Sequence, residues 1–251
     1  MTKRDWWAEP FERMVVLGES TVEGGPFLDR LEQRWADVLA ELISGCQDEP
    51  MQYYNQGIGA NCISPRSPGY EASKKPSALE RYRQDVIALQ PDLFILCYGL
   101  NDMRAGMHPE LFRQDMKTII TAVHEACHPL TVLTTVYHMT GYRSWEPFDQ
   151  GGIDQTQVYN EVIRQLAESM DCLFADVWQA EGCADWLIHP DGVHANAIGN
   201  LAIAHRVFEV LIQNCSGLSA ATNRRVWSTE WTRETTQARS RAGDPYKPTW
   251  E

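Results

Sequence analysis

The sequence predicts an α/β fold, an open parallel sheet of about five strands with helices packed against it. Short apolar runs rich in β-branched residues alternate with longer segments of helical period, which is what parallel strands joined by crossover helices require. Glycines and small polar residues stand just past the ends of several of these runs. A chain of 251 residues, 43% hydrophobic and 22% charged, suffices for one large domain with a sizeable core.

Taken in order, the strand candidates are 14–17, 52–55, 93–98, 131–137 and 172–177. Between the first two, Leu31, Trp35, Val38, Leu39 and Leu42 share a helical face and Gly45 follows as a stop. Ser77 reads as an N-cap, with Leu79, Tyr82, Val86 and Leu89 on the inner face of a helix that Gln90-Pro91 ends. Pro109 opens the next helix, which runs to about Cys127 with Leu111, Phe112, Ile119, Ile120 and Val123 inward. Helices over about 155–170 and 196–213 complete the alternation. The connections 61–76 and 138–152 are too long for plain turns and read as binding loops at the carboxyl edge of the sheet.

Residues 1–214 read as the main domain and 215–251 as a C-terminal extension. The extension is polar, yet carries Trp227, Trp231 and Trp250. Three indoles suit a segment docked on its own domain or on a neighbouring subunit, the latter making a homo-oligomer; a partly disordered terminus is the plainer alternative. A net charge of -12 argues against nucleic acid as a partner. No apolar run is long enough to span a bilayer, and the start lacks a signal peptide. The chain as given therefore reads as cytoplasmic, with a trimmed secretion signal as the alternative. The seven cysteines show no CxxC spacing and read as reduced thiols, with no metal site.

Four stretches concentrate the chemistry. Gly18-Glu19-Ser20-Thr21 follows the first strand, Asn55 to Ala60 with Gly57 and Gly59 follows the second, and Gly99-Leu100-Asn101-Asp102 follows the third. Such strand ends converge at one edge of a parallel sheet. The fourth, Asp191-Gly192-Val193-His194, precedes the last helix. Ser20 can be read as a nucleophile, a phosphate-loop hydroxyl or the cap of a turn. A phosphate loop needs a lysine, and none lies between Gly18 and Gly25; a Gly-x-Ser-x-Gly elbow fails at Val22. A serine that attacks a carbonyl needs a base, for which His194 is the candidate, oriented by Asp191 three residues earlier. The oxyanion so formed needs fixed donors: the Asn101 amide and the backbone N–H groups of Ser20, Gly59 and Ala60, with Gly57 a weaker candidate.

In this order and on this alternating pattern, the four stretches resemble the SGNH or GDSL-type serine esterases and lipases, over about residues 13–212. The resemblance implies a three-layer α/β/α, flavodoxin-like fold, Ser20 as nucleophile, His194 as base, Asp191 as its partner, and no metal or organic cofactor. Two positions depart from the family pattern. Glu19 stands where aspartate is usual, and Ala60 stands where an oxyanion-hole glycine is usual, with Gly59 one residue earlier. The activity implied is hydrolysis of a small-molecule ester, with an acetyl ester of a carbohydrate the favoured substrate. Arg66, Tyr70, Tyr142, Arg143 and Trp145 are rim candidates, mixing aromatic faces with cationic donors in a way that suits a polar alcohol better than a lipid tail. A lysophospholipase, thioesterase or acyltransferase would use the same machinery, and a non-catalytic binding or scaffold protein could retain the same fold.

Overall fold

The computed structural model describes residues 3–228, with side chains through Arg224. In chain order its elements are β1 (Arg13–Gly18), α1 (Ser20–Glu23), α2 (Trp35–Cys46), β2 (Gln52–Gly57), α3 (Tyr70–Ser73), α4 (Ala78–Asp85), β3 (Leu93–Cys97), α5 (Leu100–Arg104), α6 (Pro109–Cys127), β4 (Leu130–Thr134), α7 (Ile153–Ser169), β5 (Leu173–Ala175), α8 (Val177–Glu181), α9 (Ala197–Asn214) and α10 (Gly217–Ser228). All five strands are parallel, in the order β2-β1-β3-β4-β5. This is the flavodoxin-like order, whose direction of winding reverses between β1 and β3. Helices α2 and α9 pack on each other, while α4, α6 and α7 form a second group. Right-handed crossovers put the two groups on opposite faces of the sheet.

Central strands are buried on both faces and therefore read as continuous apolar runs: Met14 to Leu17 in β1, Leu93 to Leu96 in β3, Val132 and Leu133 in β4. Strand β2 lies at the edge, which explains why its Tyr53, Tyr54, Asn55 and Gln56 are only half-buried. Arg81 of α4, itself buried, donates to Gly18 O and Gln56 O, both at 2.9 Å, and to the Tyr98 hydroxyl at 2.7 Å. One guanidinium thereby pins the carboxyl ends of β1 and β2 and anchors Tyr98 just past β3. Gly57 permits a close approach at this edge, because a Cβ there would stand 2.0 Å from the Glu23 backbone nitrogen of α1.

Several boundaries differ from the expectation, each for a local reason. The helix expected from Leu31 begins at Trp35, since Arg34 is extended (ψ 135°) and Leu31 sits in a separate 3-10 turn with its side chain exposed. Gly45 does not stop this helix, which continues to Cys46. Helix α4 ends at Asp85, where Val86 leaves helical geometry before a 3-10 turn over Ile87–Leu89. Strand β4 ends at Thr134 rather than Tyr137, because the Asn160 side-chain amide from α7 takes both the N–H and the C=O of Val136, at 2.8 and 3.0 Å. Strand β5 stops at Ala175, and Asp176 caps α8 by accepting from Gln179 N at 2.9 Å.

The extension past Asn214 is continuous with the main domain over its described part. Cys215, Leu218 and Ala221 are buried in the common core, and Gly217 N donates to Trp7 O at 3.2 Å. The Trp227 side chain and residues 229–251, with Trp231 and Trp250, lie outside the described residues. Among the described residues no helix is long and apolar enough to cross a membrane.

Candidate active site

Ser20 is the first residue of α1, immediately beyond β1, and Asn101 lies in the first turn of α5, beyond β3. These two neighbouring strand ends flank the switch point of the sheet, where an open α/β fold leaves a crevice. The loop before α9 brings His194 across to it. His194 Nε2 lies 2.8 Å from Ser20 Oγ, and Nδ1 lies 2.8 Å from Asp191 Oδ2. The other carboxylate oxygen accepts the backbone N–H groups of Val193 at 2.8 Å and His194 at 3.0 Å. With Nδ1–H donating to the carboxylate, Nε2 is left as an acceptor for the serine proton.

The electrostatics favour that state. Burial would raise the Asp191 pKa, but its hydrogen bonds to the His194 backbone and ring and to Val193 outweigh this and hold it at about 2. The His194 pKa is lowered, first by burial, with the Arg104 and His189 charges adding to it against the pull of Asp191. Phe27 supplies much of that cover, stacking parallel on the imidazole with a centroid separation of 4.1 Å. The imidazole is thus neutral, and able to accept a proton, at neutral pH.

Donors for an oxyanion converge beside the hydroxyl. One N–H of the Asn101 amide is held by Asn61 O at 3.0 Å, which orients the group and leaves its second N–H uncommitted. In the turn after β2, Gly57 N donates to Asn55 Oδ1 at 2.9 Å and Gly59 N to Glu23 Oε2 at 2.7 Å. The N–H groups of Ala60 and Ser20 have no partner among the described residues. Of the turn amides, only that of Ala60 is therefore available, and Ala60 lines the same hollow as Ser20 and Asn101. It pays in backbone strain, since its φ of 54° is a left-handed conformation that disfavours a Cβ.

Glu19 is buried and spans the gap between β1 and α5. Its Oε1 accepts from Gly99 N at 3.1 Å and Leu100 N at 2.9 Å, and its Oε2 from Asn101 N at 3.2 Å. Burial and the nearby Asp102 push its pKa up to about 8, against the pull of these three amides. The glutamate found where aspartate is usual thus ties the peptide after the serine's strand to the peptide that carries Asn101.

Comparison with known proteins bears on this arrangement. Residues 16–202 match the model of the GDSL-like Lipase/Acylhydrolase family. The chain belongs to that family. Similar to this GDSL-family chain is an acetylxylan esterase from Geobacillus stearothermophilus, 23% identical over 212 residues that cover 77% of this chain and 90% of the relative. Among solved structures, a carbohydrate acetylesterase from Sinorhizobium meliloti superposes with a TM-score of 0.64 at 17% identity, over 80% of this chain and 99% of that one. A lipase/acylhydrolase from Enterococcus faecalis gives a TM-score of 0.63 at 17% identity, over 80% and 95%. At these identities the structural likenesses speak for the fold.

The hollow of this GDSL-family chain measures about 360 Å³ and is lined by Ser20, Asn101, Arg104, Trp145, Phe148 and His194 among others. Of the five rim candidates, Trp145 lines it. Arg66 is turned away to α6, ion-paired with Asp115 and bonded to Leu111 O. The Tyr70 hydroxyl donates to Glu80 in a separate depression, and Tyr142 meets His138 Nδ1 at 3.1 Å. Arg143 donates from Nε to Gly151 O at 3.2 Å, bracing its own loop. Arg104, Ser144, Phe148 and Phe27 escape the sequence reading. Arg104 carries a legible signal, one helical turn after Asn101 on a segment predicted to follow a strand.

If Ser20 reacts through neutral His194, the pH profile follows from the depressed histidine. Protonation removes the base, so kcat/KM for p-nitrophenyl acetate is expected to fall on acidification with a midpoint below 6.5, the ordinary histidine value. A midpoint at or above 6.5 would contradict the burial-driven shift.

Proposed function

We propose that the chain is a serine esterase that hydrolyses small-acyl, acetyl-type esters of carbohydrates. The observation that carries the reading is the continuous hydrogen-bonded line Asp191, His194, Ser20 opening into a hollow that Asn101 and Ala60 also line. Ser20 Oγ attacks the ester carbonyl carbon as His194 Nε2 takes its proton, and the charge that develops on the carbonyl oxygen meets the N–H groups of Ser20, Ala60 and Asn101. Collapse breaks the ester C–O bond, and His194 returns the proton to the departing alcohol. Water then attacks the acyl carbon as it gives a proton to the same imidazole; the C–O bond to Ser20 breaks, the acid leaves, and His194 returns the proton to Oγ.

The small size of the hollow favours a short acyl group, and Arg104 and Ser144 on its wall suit a polar alcohol. At about 360 Å³ it sits near the lower end of the ~300–1,000 Å³ typical of ligand clefts. Trp145, 60% exposed and edge-on to Phe148, offers an aromatic face of the kind that packs on a sugar ring. The relatives named as acetylxylan esterase and carbohydrate acetylesterase point the same way. Hydrolysis of p-nitrophenyl acetate, butyrate and octanoate is expected to fall steeply with chain length, and acetylated oligosaccharides to release acetate. A preference for octanoate would replace this reading with a lysophospholipase or thioesterase.

A further inference from the structure

Among the described residues two arginines are buried, and only one of them is ion-paired. Arg81, 6% exposed, is paired through Nη1 with Asp85 at 2.7 Å and donates from Nη2 to Gly18 O, Gln56 O and Tyr98, leaving only its Nε without a partner. Arg104, 5% exposed, has a single hydrogen bond from its guanidinium, from Nη2 to Ser144 Oγ at 2.6 Å. Its Nε is buried without a partner, and among the described residues its Nη1 donates to nothing and no carboxylate lies within ion-pair distance, Glu19 and Asp191 acting on it only from further off. A guanidinium stays charged, and a buried charge without a counter-charge costs several kcal/mol unless something else neutralises it. In a chain of net charge -12, a counter-ion would be easy to place.

Arg104 lines the same hollow as Ser20, one helical turn past Asn101. The acyl-transfer steps make no use of it: the base is His194, and the oxyanion donors are the N–H groups already named. Its positive charge in fact works against protonation of His194. The side chain is nevertheless fixed in place. Ser144 holds Nη2 and in turn donates to Phe148 O at 3.3 Å, and the guanidinium carbon stands 5.8 Å from the centre of the Phe148 ring. A rigid, buried cation with no carboxylate in direct contact, set beside the nucleophile, is suited to recognition of an anionic group on the substrate.

We propose that Arg104 selects esters that carry a carboxylate close to the scissile bond, above all acetyl esters of acidic sugars such as uronates. The substrate carboxylate supplies the direct ion-pair partner that Arg104 lacks, through Nη1, the unpartnered donor that is not buried. This assignment rests on the esterase reading above and deepens it.

The test compares substrate pairs matched except for the charge. On the alcohol side the pair is a mono-acetylated methyl glucuronoside and the corresponding methyl glucoside; on the acyl side it is mono-p-nitrophenyl glutarate and p-nitrophenyl valerate. The full chain is expected to prefer the acidic member of one pair by about tenfold or more in kcat/KM, chiefly through KM, as a charged hydrogen bond to substrate allows. Arg104→Gln should abolish that ratio and Arg104→Lys should keep part of it, whatever either does to the absolute rates. The pair in which the preference appears tells whether the carboxylate sits on the sugar or on the acyl group. No preference in either pair overturns the proposal, as does a ratio unchanged in Arg104→Gln, which would make Arg104 a clamp for the loop around Ser144. Hydrolysis of p-nitrophenyl acetate that is absent, or that persists unchanged in Ser20→Ala, would instead remove the esterase reading beneath it.

Discussion

Replacing Ser20 by alanine is expected to lower kcat for acyl esters by about 10⁴- to 10⁶-fold, because the covalent route is lost and only the oxyanion donors and binding remain. His194→Ala should fall within about tenfold of the same residual rate, and the Ser20→Ala/His194→Ala double variant should be no slower than either single variant. Such non-additivity is the signature of groups that act as one unit, as the 2.8 Å contacts on both sides of the imidazole imply. Both side chains are small contributors to the core, so the variants should melt close to the parent. Ser20-independent turnover at the parent rate, or effects that multiply in the double variant, would sink the proposed mechanism.

Asn101→Ala is expected to cost about 10²- to 10³-fold in kcat with little change in KM, since its free N–H meets charge that exists only in the transition state. The same change removes the bond to Asn61 O, for which a loss of roughly 1 kcal/mol of stability is the ordinary scale. Measuring kcat and KM alongside a denaturation curve separates the two effects. A rise in KM with kcat preserved would move Asn101 from the oxyanion to ground-state binding.

Much of this was legible before any coordinates. Uninterrupted apolar runs such as Met14 to Leu17 and Leu93 to Leu96 mark strands covered on both faces, and their burial bears this out. Residues placed just after such strands share one sheet edge by topology alone, so Ser20 and Asn101 could be grouped from sequence. The turn after the edge strand was less transparent. Whether Gly59 or Ala60 offers a free amide depends on Glu23, a side chain from another segment that takes the Gly59 N–H.

The rim was the least legible part. Arginines and tyrosines in a long loop advertise binding, yet Arg66 and Arg143 are consumed by Asp115 and by Gly151 O. Arg104 lay outside both long loops, yet it is an arginine on the wall of the hollow with no direct ion-pair partner among the described residues. Whether a charged side chain is structural or available depends on partners distant in sequence, and no local pattern records those. The same is true of strand ends. Asn160, 24 positions beyond Val136, shortens β4 by capturing a peptide that would otherwise extend it.

The backbone contact between the loop after β4 and the loop carrying Asp191 sets how this family member can diversify. Gly192 O accepts from both Thr140 N at 2.9 Å and Gly141 N at 2.6 Å, and a Cβ on Gly141 would come within 3.1 Å of that same oxygen. An insertion or deletion near residue 141 would drag on the peptide next to Asp191, the carboxylate of the proposed triad. On the proposed function, a change of substrate is expected to come through side-chain exchange at Ser144, Trp145 and Phe148, which line the hollow, and not through loop length. The specificity surface can drift while the catalytic frame stays in register.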